Sequence, residues 1–480
     1  MVFTSFNFLV FFPVLIIVYY IIPVKLRPSY LLIASYYFYI NLKPVYALLL
    51  VAITLTTYLF TRLIEKTKSE KGRTRLLTVN IILILLPLFF FKYYNFVNAG
   101  AFNLLNTAGI RWPLPEISWI LPIGISFYTF MAIGYSVDVY NSEIEAEKNL
   151  GILALFLAFF PIILSGPIER ATNMFQQFKS KILFSAYNIE KGFQLMLWGY
   201  FMKLVIADRI AILNHAILDY PGKHSGISLL MAVLLYPIQV YGDLGGYSLI
   251  AIGAAKMMGY NVMANFKQPF FATSMSDFWR RWHISLISWI TDYIYLPLSY
   301  NLRRFKMWGI IMALMLTFII AGIWHGAGSV FIIWGILQGT FLSVEALTGK
   351  SRMNFVNKYG LGKKNWYIFL CMLFTYFLFA SSELFGGSTN STHDAFFVIK
   401  KIVTSFSGAI YYNTPSTMLF IIIGILFLFF VDFKNRFHKN VFSFLDNVNP
   451  LWRNFSYAFL IIMILLMGVF DGGQFIYFKF

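Results

Sequence analysis

The sequence predicts an all-α protein that crosses a membrane many times, and three observations carry that prediction. Of the 480 residues, 59% are hydrophobic and only 12% charged, against roughly 25% charged in soluble proteins, and mean hydropathy is +0.70. Several apolar runs reach the ~20 residues that a helix needs to cross a hydrocarbon core. The 53 Phe, 30 Tyr and 11 Trp bring more apolar surface than a soluble exterior can hide. A soluble fold is excluded. The formal charge of +18 sits in short clusters between the apolar runs, which suits loops beside anionic lipid headgroups rather than a nucleic-acid surface. Cys371 is the single cysteine, so there is no intrachain disulfide, and no cysteine metal cage is predicted.

Taken in order, Met1 to Pro23 lacks the basic start and small-residue cleavage site of a signal peptide and reads as a retained first span. Further apolar stretches lie near 29–42, 44–61, 76–97, 117–137, 150–168, 190–212, 226–255, 307–344, 365–386, 415–431 and 454–470. Pro and Gly interrupt several of them. About eleven crossings are therefore expected, with re-entrant or interfacial helices between them, since broken backbone at membrane depth must be buried in protein. No internal repeat divides the chain, so residues 1–480 read as a single integral-membrane domain.

Orientation follows from Lys and Arg. The run Arg62, Lys66, Lys68, Lys71, Arg73 and Arg75, opposed only by Glu65 and Glu70, points to the cytoplasm. Three crossings earlier, the N-terminus is then extracytoplasmic, and the count to the end places the C-terminus there too. Loop 98–116 falls outside, whereas Arg303, Arg304 and Lys306, and then Lys350, Arg352, Lys358, Lys363 and Lys364, mark two more inside loops. The stretch between those loops must cross an even number of times.

That stretch, Met307 to Val344, has 38 residues and one ionisable side chain, His325. As one helix it would be ~57 Å long against a core of ~30 Å. It must break, and Trp324-His325-Gly326-Ala327-Gly328 is the natural place because the glycines permit a turn. An ionisable group there is a functional candidate, or else a neutral imidazole that hydrogen-bonds a carbonyl and holds the break. Asp243, within Tyr241-Gly242-Asp243-Leu244-Gly245-Gly246, reads as a buried carboxylate in an irregular, closely packed helix, either a site residue or a cap for the irregularity.

Between them, Ser276 to Tyr295 reads as an amphipathic helix at the membrane boundary. Trp279, His283, Leu286 and Ile290 share one face, and Asp277 and Arg281 are i,i+4 partners. Arg280, Arg281 and nearby Lys267 could hold phosphates or simply meet lipid headgroups. His215 to Asp219 spells HxxxD, a five-residue match that sits in a loop, while His393 and His438 lie in polar linkers. There is no Walker A sequence, GxSxG elbow, HExxH pair or dinucleotide fingerprint.

Phe278-Trp279-Arg280-Arg281-Trp282-His283-Ile284-Ser285, followed 42 residues after His283 by Trp324-His325-Gly326, resembles the membrane-bound O-acyltransferase (MBOAT) family. Leu121 to Phe127, Ser165-Gly166-Pro167-Ile168, Lys203 to Asp208, Tyr241-Gly242-Asp243, Asn265 to Pro269 and the terminal Gln474 to Phe478 resemble its bacterial alginate O-acetyltransferase branch. Three positions depart from that pattern. Ser299-Tyr300-Asn301-Leu302-Arg303 stands where the branch has Gly-Gly-Asn-Arg, Gln338 stands where a second motif carries a histidine, and no Arg stands near Phe379-Ala380-Ser381-Ser382, where the family often has one.

The resemblance implies an MBOAT fold of about 11 transmembrane helices plus re-entrant and interfacial helices around a central tunnel. It implies acyl transfer with His325 as the essential histidine and His283 as the second; Arg280, Arg281, Lys267, Asp243, Trp324 and Asn301 are the candidates for substrate or donor binding. No metal and no tightly bound cofactor are expected; acetyl-CoA or another acyl thioester would be the donor substrate. The acceptor would be an extracytoplasmic polysaccharide, reached through an SGNH-like partner protein, in a bacterial inner membrane. Two other readings stay open: D-alanyl transfer to teichoic acid from a carrier protein, and a transporter or flippase that performs no covalent chemistry.

Overall fold

The computed structural model describes residues 1–107, 109, 114–117, 121–164, 166–389, 391–437, 445 and 449–470. Ser165, His438 and the terminal motif Gln474 to Phe478 lie outside the described residues. Among those described there is no strand. The helices in chain order are α1 Phe6–Ile21, α2 Arg27–Ile40, α3 Pro44–Lys66, α4 Glu70–Thr107, α5 Ile125–Tyr140, α6 Leu150–Ala158, α7 Phe160–Ile163, α8 Ala171–Lys179, α9 Ala186–Tyr200, α10 Asp208–Leu218 and α11 Gly226–Val240. They continue as α12 Gly246–Met257, α13 Met275–Trp279, α14 Ile284–Ile290, α15 Leu296–Asn301, α16 Met307–His325, α17 Ser329–Lys358, α18 Asn365–Ser382, α19 Thr392–Thr404, α20 Pro415–Phe437 and α21 Pro450–Met467. Four wider π-helical turns, Phe201–Ala207, Tyr241–Gly245, Thr291–Tyr295 and Leu384–Ser388, are spliced between them.

Among the described residues, eight helices are long and apolar enough to cross a membrane, and the protein is a multi-pass membrane protein. The difference from the eleven expected crossings has a local cause. The stretch 150–168 folds as the short α6 and α7, and 190–212 carries the charged Glu190, Lys191, Lys203, Asp208 and Arg209, so neither is among the eight. α1 has only 16 residues. α3 shows how a span satisfies lipid and protein at once. Val45, Leu48, Leu55 and Leu59 are exposed, while Thr54, Thr57 and Thr61 are buried on the other face. Each of those hydroxyls donates to the carbonyl four residues earlier, at 2.7–2.8 Å, so no polar group meets the apolar packing unsatisfied.

The chain forms two compact units, Met1–Phe193 with Ala251–Met263, and Gln194–Ile250 with Ala264–Phe480. They are interleaved along the sequence, so neither is one contiguous stretch. In the first, Phe3, Phe8, Phe38 and Phe160 build an aromatic core, with Phe38 and Phe160 rings 5.5 Å apart. The second holds every histidine motif and is described further below.

The predicted break of 307–344 is present. α16 ends at His325 and α17 starts at Ser329, and the two pack as an antiparallel hairpin. Small residues let the backbones close up, as is usual between membrane helices. A Cβ on Gly335 would collide with the Phe318 carbonyl, and one on Gly322 with the Phe331 carbonyl. Gly335→Ala is therefore expected to lower stability by about 1–3 kcal/mol, the usual cost of overpacking. Gly349→Ala in the same helix meets nothing within 4 Å and should be neutral or stabilising by up to ~1 kcal/mol. Thermal unfolding of the two purified variants in one detergent checks the contrast.

The expected single helix over 276–295 does not form. α13 stops at Trp279, a turn follows, and α14 begins after His283, whose backbone is left-handed with φ 47°. Two cross-links to the preceding loop pull the chain out of helix: Lys267 N–H donates to the Arg281 carbonyl at 2.9 Å, and Ile284 N–H to the Asn265 carbonyl at 2.8 Å. The predicted Asp277–Arg281 pair is present at 2.8 Å.

Candidate functional site

His283 and His325 reach the same place by two different backbone breaks. His325 is the last residue of α16, where Gly326, too close to the Phe331 ring to carry a Cβ, ends the helix. Its imidazole is half-buried and held edge-on between two indoles, Trp324 at 4.8 Å and Trp334 at 4.9 Å between ring centroids. His283 is buried, and its Nδ1 lies 3.2 Å from Asn265 Oδ1. That oxygen also accepts from Ser285 N–H at 3.3 Å and Ser285 Oγ at 2.9 Å, while Asn265 Nδ2 donates to Ser248 Oγ at 2.9 Å. A carbonyl oxygen can only accept, so the neutral imidazole carries its proton on Nδ1 and keeps Nε2 as an acceptor.

Burial lowers the His283 pKa from 6.5 to about 4. An unfolded imidazole near 6.5 thus takes up its proton before the folded one does as pH drops. The stability that neutral His283 contributes is intact above about 6.5 and is lost as pH falls toward 4. His283→Gln keeps an N–H for Asn265 and cannot titrate. The melting temperature in detergent should therefore fall more between pH 7 and pH 5 for the wild type than for this variant.

The two histidines line one cavity of about 40 Å³ together with Trp279, Trp334, Leu244 and Glu383. That is room for a few water molecules at ~10–15 Å³ of such volume each. Its walls are tied by indole hydrogen bonds. Trp334 Nε1 donates to Glu383 Oε1 at 2.9 Å and Trp279 Nε1 to Gln338 Oε1 at 3.3 Å, and Gln338 Nε2 donates to Ser382 Oγ at 2.7 Å. Gln338, standing at the family's histidine position, is thus a buried bridge between α13 and the end of α18. Sequence reasoning missed Glu383. The signal was there: it is the one carboxylate closing an apolar run, 365–382, that carries no acid.

Of the other candidates, Trp324 joins this site by packing on His325. Arg281 is paired with Asp277, Arg280 and Lys267 are exposed beside it, and all three stand outside the cavity walls. Asn301 is exposed at the end of α15 and takes no part in the walls. Asp243 is likewise elsewhere. It is buried with Lys203 Nζ at 2.6 Å, and the same ammonium lies 2.7 Å from Asp208. The HxxxD histidine, His215, is half-exposed, with its Nδ1 3.4 Å from Asp219, and it takes no part in the cavity walls. Among the described residues, no group of three His, Cys, Asp or Glu could hold a metal ion.

Comparison with known proteins bears on this arrangement. Residues 29–384 match the family model "MBOAT, membrane-bound O-acyltransferase family". The chain is 36% identical over 354 residues to the "Probable alginate O-acetylase AlgI" of Pseudomonas aeruginosa, covering 73% of this chain and 66% of that protein. It is 34% identical over 342 residues to a peptidoglycan O-acetyltransferase of Helicobacter pylori, covering 66% and 64%. With a teichoic acid D-alanyltransferase of Streptococcus thermophilus it shares 25% identity over 295 residues, covering 58% and 66%. The match thus spans about two thirds of each relative's length. The family model covers most of the chain, including both histidines and the break that carries each, so the chain belongs to the membrane-bound O-acyltransferase family, in its alginate O-acetyltransferase-like branch, and is an acyltransferase.

Proposed function

We propose that the protein moves an acetyl group, or a similar small acyl group, from a thioester donor on the cytoplasmic side of an inner membrane to a polysaccharide on the other side. The observation that carries this reading is the convergence of His283 and His325 on one cavity. His325 acts as general base. It takes the proton of the acceptor hydroxyl as that oxygen attacks the thioester carbonyl, the C–S bond breaks, and the proton passes to the leaving thiolate. His283, fixed by Asn265, keeps a neutral ring beside it. The cavity as it stands admits water rather than a donor arm, so donor entry requires its indole walls to part.

The positive-inside rule applied to the basic loops supports a cytoplasmic donor side, and acetyl-CoA is the simplest donor. A polysaccharide acceptor is in keeping with the name of the alginate relatives, and an SGNH-like partner protein would carry the acetyl group from this membrane step to it. Proteoliposomes given radiolabelled acetyl-CoA, with and without candidate partner and glycan, test the reading. Transfer of label to partner or glycan supports it. Label arriving only from a D-alanyl carrier protein moves the assignment to teichoic acid, and glycan movement without label from any donor assigns a flippase.

A further inference from the structure

A second cavity lies apart from the histidines, between the C-terminal half of α17 and the start of α18, and its volume is about 930 Å³. Its size is near the top of the ~300–1,000 Å³ range of small-molecule sites. The reason for it is helix length. α17 has 30 residues and runs ~45 Å, well beyond a ~30 Å core, and it turns back into α18 through a short 3₁₀ link, Leu361–Lys363. The overhanging half and the returning helix leave a slot.

The slot is amphipathic along its length. Phe341, Leu370 and Phe374 make its apolar wall, and Arg352 and Lys364 stand at its basic end. From 346 to 382 the chain carries Lys350, Arg352, Lys358, Lys363 and Lys364 and no acidic residue at all. The acid closest in chain, Glu345, spreads its carboxylate between Arg352 Nη2 at 3.5 Å and the Ser276 N–H at 3.1 Å. It is too engaged to neutralise five cations. Tyr359, Trp366 and Tyr367 line the same basic end, as aromatic rings do at the headgroup level of a bilayer.

We propose that this slot binds one anionic glycerophospholipid from the leaflet at the basic end of α17 and α18. An acyl chain lies along Phe341, Leu370 and Phe374, and the phosphate meets Arg352 and Lys364. Both features are needed. A free phosphate leaves the apolar wall wet, and a neutral diacylglycerol offers no anion to a basic end where Arg352 has only the 3.5 Å pair with Glu345, itself on the slot wall. The proposal does not depend on the acyl-transfer reading, because none of its residues lines the histidine cavity.

Cys371, the chain's single cysteine, is on the wall of the slot and reports on its occupancy. The full-length protein in neutral detergent is labelled with a maleimide while phosphatidylglycerol, diacylglycerol, inorganic phosphate or coenzyme A is added, and native mass spectrometry counts retained lipids. Phosphatidylglycerol is expected to slow labelling of Cys371 at least fivefold and to be retained as one copy. Inorganic phosphate and diacylglycerol should protect far less. The double variant Arg352→Ala/Lys364→Ala, checked for an unchanged melting temperature, should need about tenfold more phosphatidylglycerol for the same protection. Equal protection of variant and wild type, or labelling indifferent to phosphatidylglycerol, overturns the proposal. Protection by coenzyme A but not by phosphatidylglycerol also overturns it and makes the slot a donor site.

Discussion

His325→Ala is expected to lower the initial rate of acyl transfer in proteoliposomes by about 10²–10⁴-fold, which corresponds to ~2.7–5.5 kcal/mol of lost transition-state stabilisation. The loss is one of chemistry rather than of fold. His325 is the last residue of a helix whose end is set by Gly326, and the edge contacts to Trp324 and Trp334 that truncation removes are worth ~0.5–1.5 kcal/mol each. His325→Gln makes the contrast sharper, since an amide keeps hydrogen-bonding capacity and has no basicity. If the proton transfer is what matters, both variants lose activity alike, while their abundance, melting temperature and retention of the thioester donor stay near wild type. A glutamine variant with wild-type rate would remove general-base catalysis from His325 and leave it a structural residue at the turn.

Much of this site was legible because each piece of it has a one-dimensional reason. A 38-residue apolar run cannot cross once, and 307–344 breaks at its one ionisable residue, His325, beside Gly326 and Gly328. The i,i+4 spacing of Asp277 and Arg281 foretold their ion pair. Three glycines around Asp243 foretold an irregular, closely packed turn, and a π turn is what forms, with Gly242 against the Met202 carbonyl. What escaped is long-range. Periodicity counts residues within one helix and cannot register that Asn265 and Lys267 pair with the backbone at 281–284 and snap that helix at His283. Nor can it tell that the carboxylate of Asp243 faces an ammonium 40 positions earlier. The span count has a local reason: among the described residues 150–168 folds as two short helices, and 190–212 carries five charged side chains, whereas Gly226–Met257 keeps its apolar length across a π turn.

Lys203→Met is expected to cost about 3–5 kcal/mol of stability, the usual penalty for removing one partner from a buried ion group. Lys203 is 1% exposed, with Asp208 and Asp243 each at 4%, and its ammonium is the shared partner of both carboxylates. Those carboxylates come from the two π turns and their edges, Phe201–Ala207 leading into Asp208 and Tyr241–Gly245 around Asp243. Glycines let these turns pack backbone to backbone: a Cβ on Gly246 would sit 2.8 Å from the Gly199 carbonyl. With the lysine gone, two negative groups face each other where water cannot reach them, and the cheapest relief is to separate the turns. One of the two turns continues into the histidine cavity through Leu244, so acyl transfer should fall along with the melting temperature. The compensated variant Lys203→Met/Asp208→Asn/Asp243→Asn separates charge from packing, because neutral amides keep the shape and leave no buried anion. It should recover most of the lost melting temperature in detergent. A triple variant as unstable as Lys203→Met alone would show that the side-chain hydrogen bonds, and not the balance of buried charge, hold the two turns together.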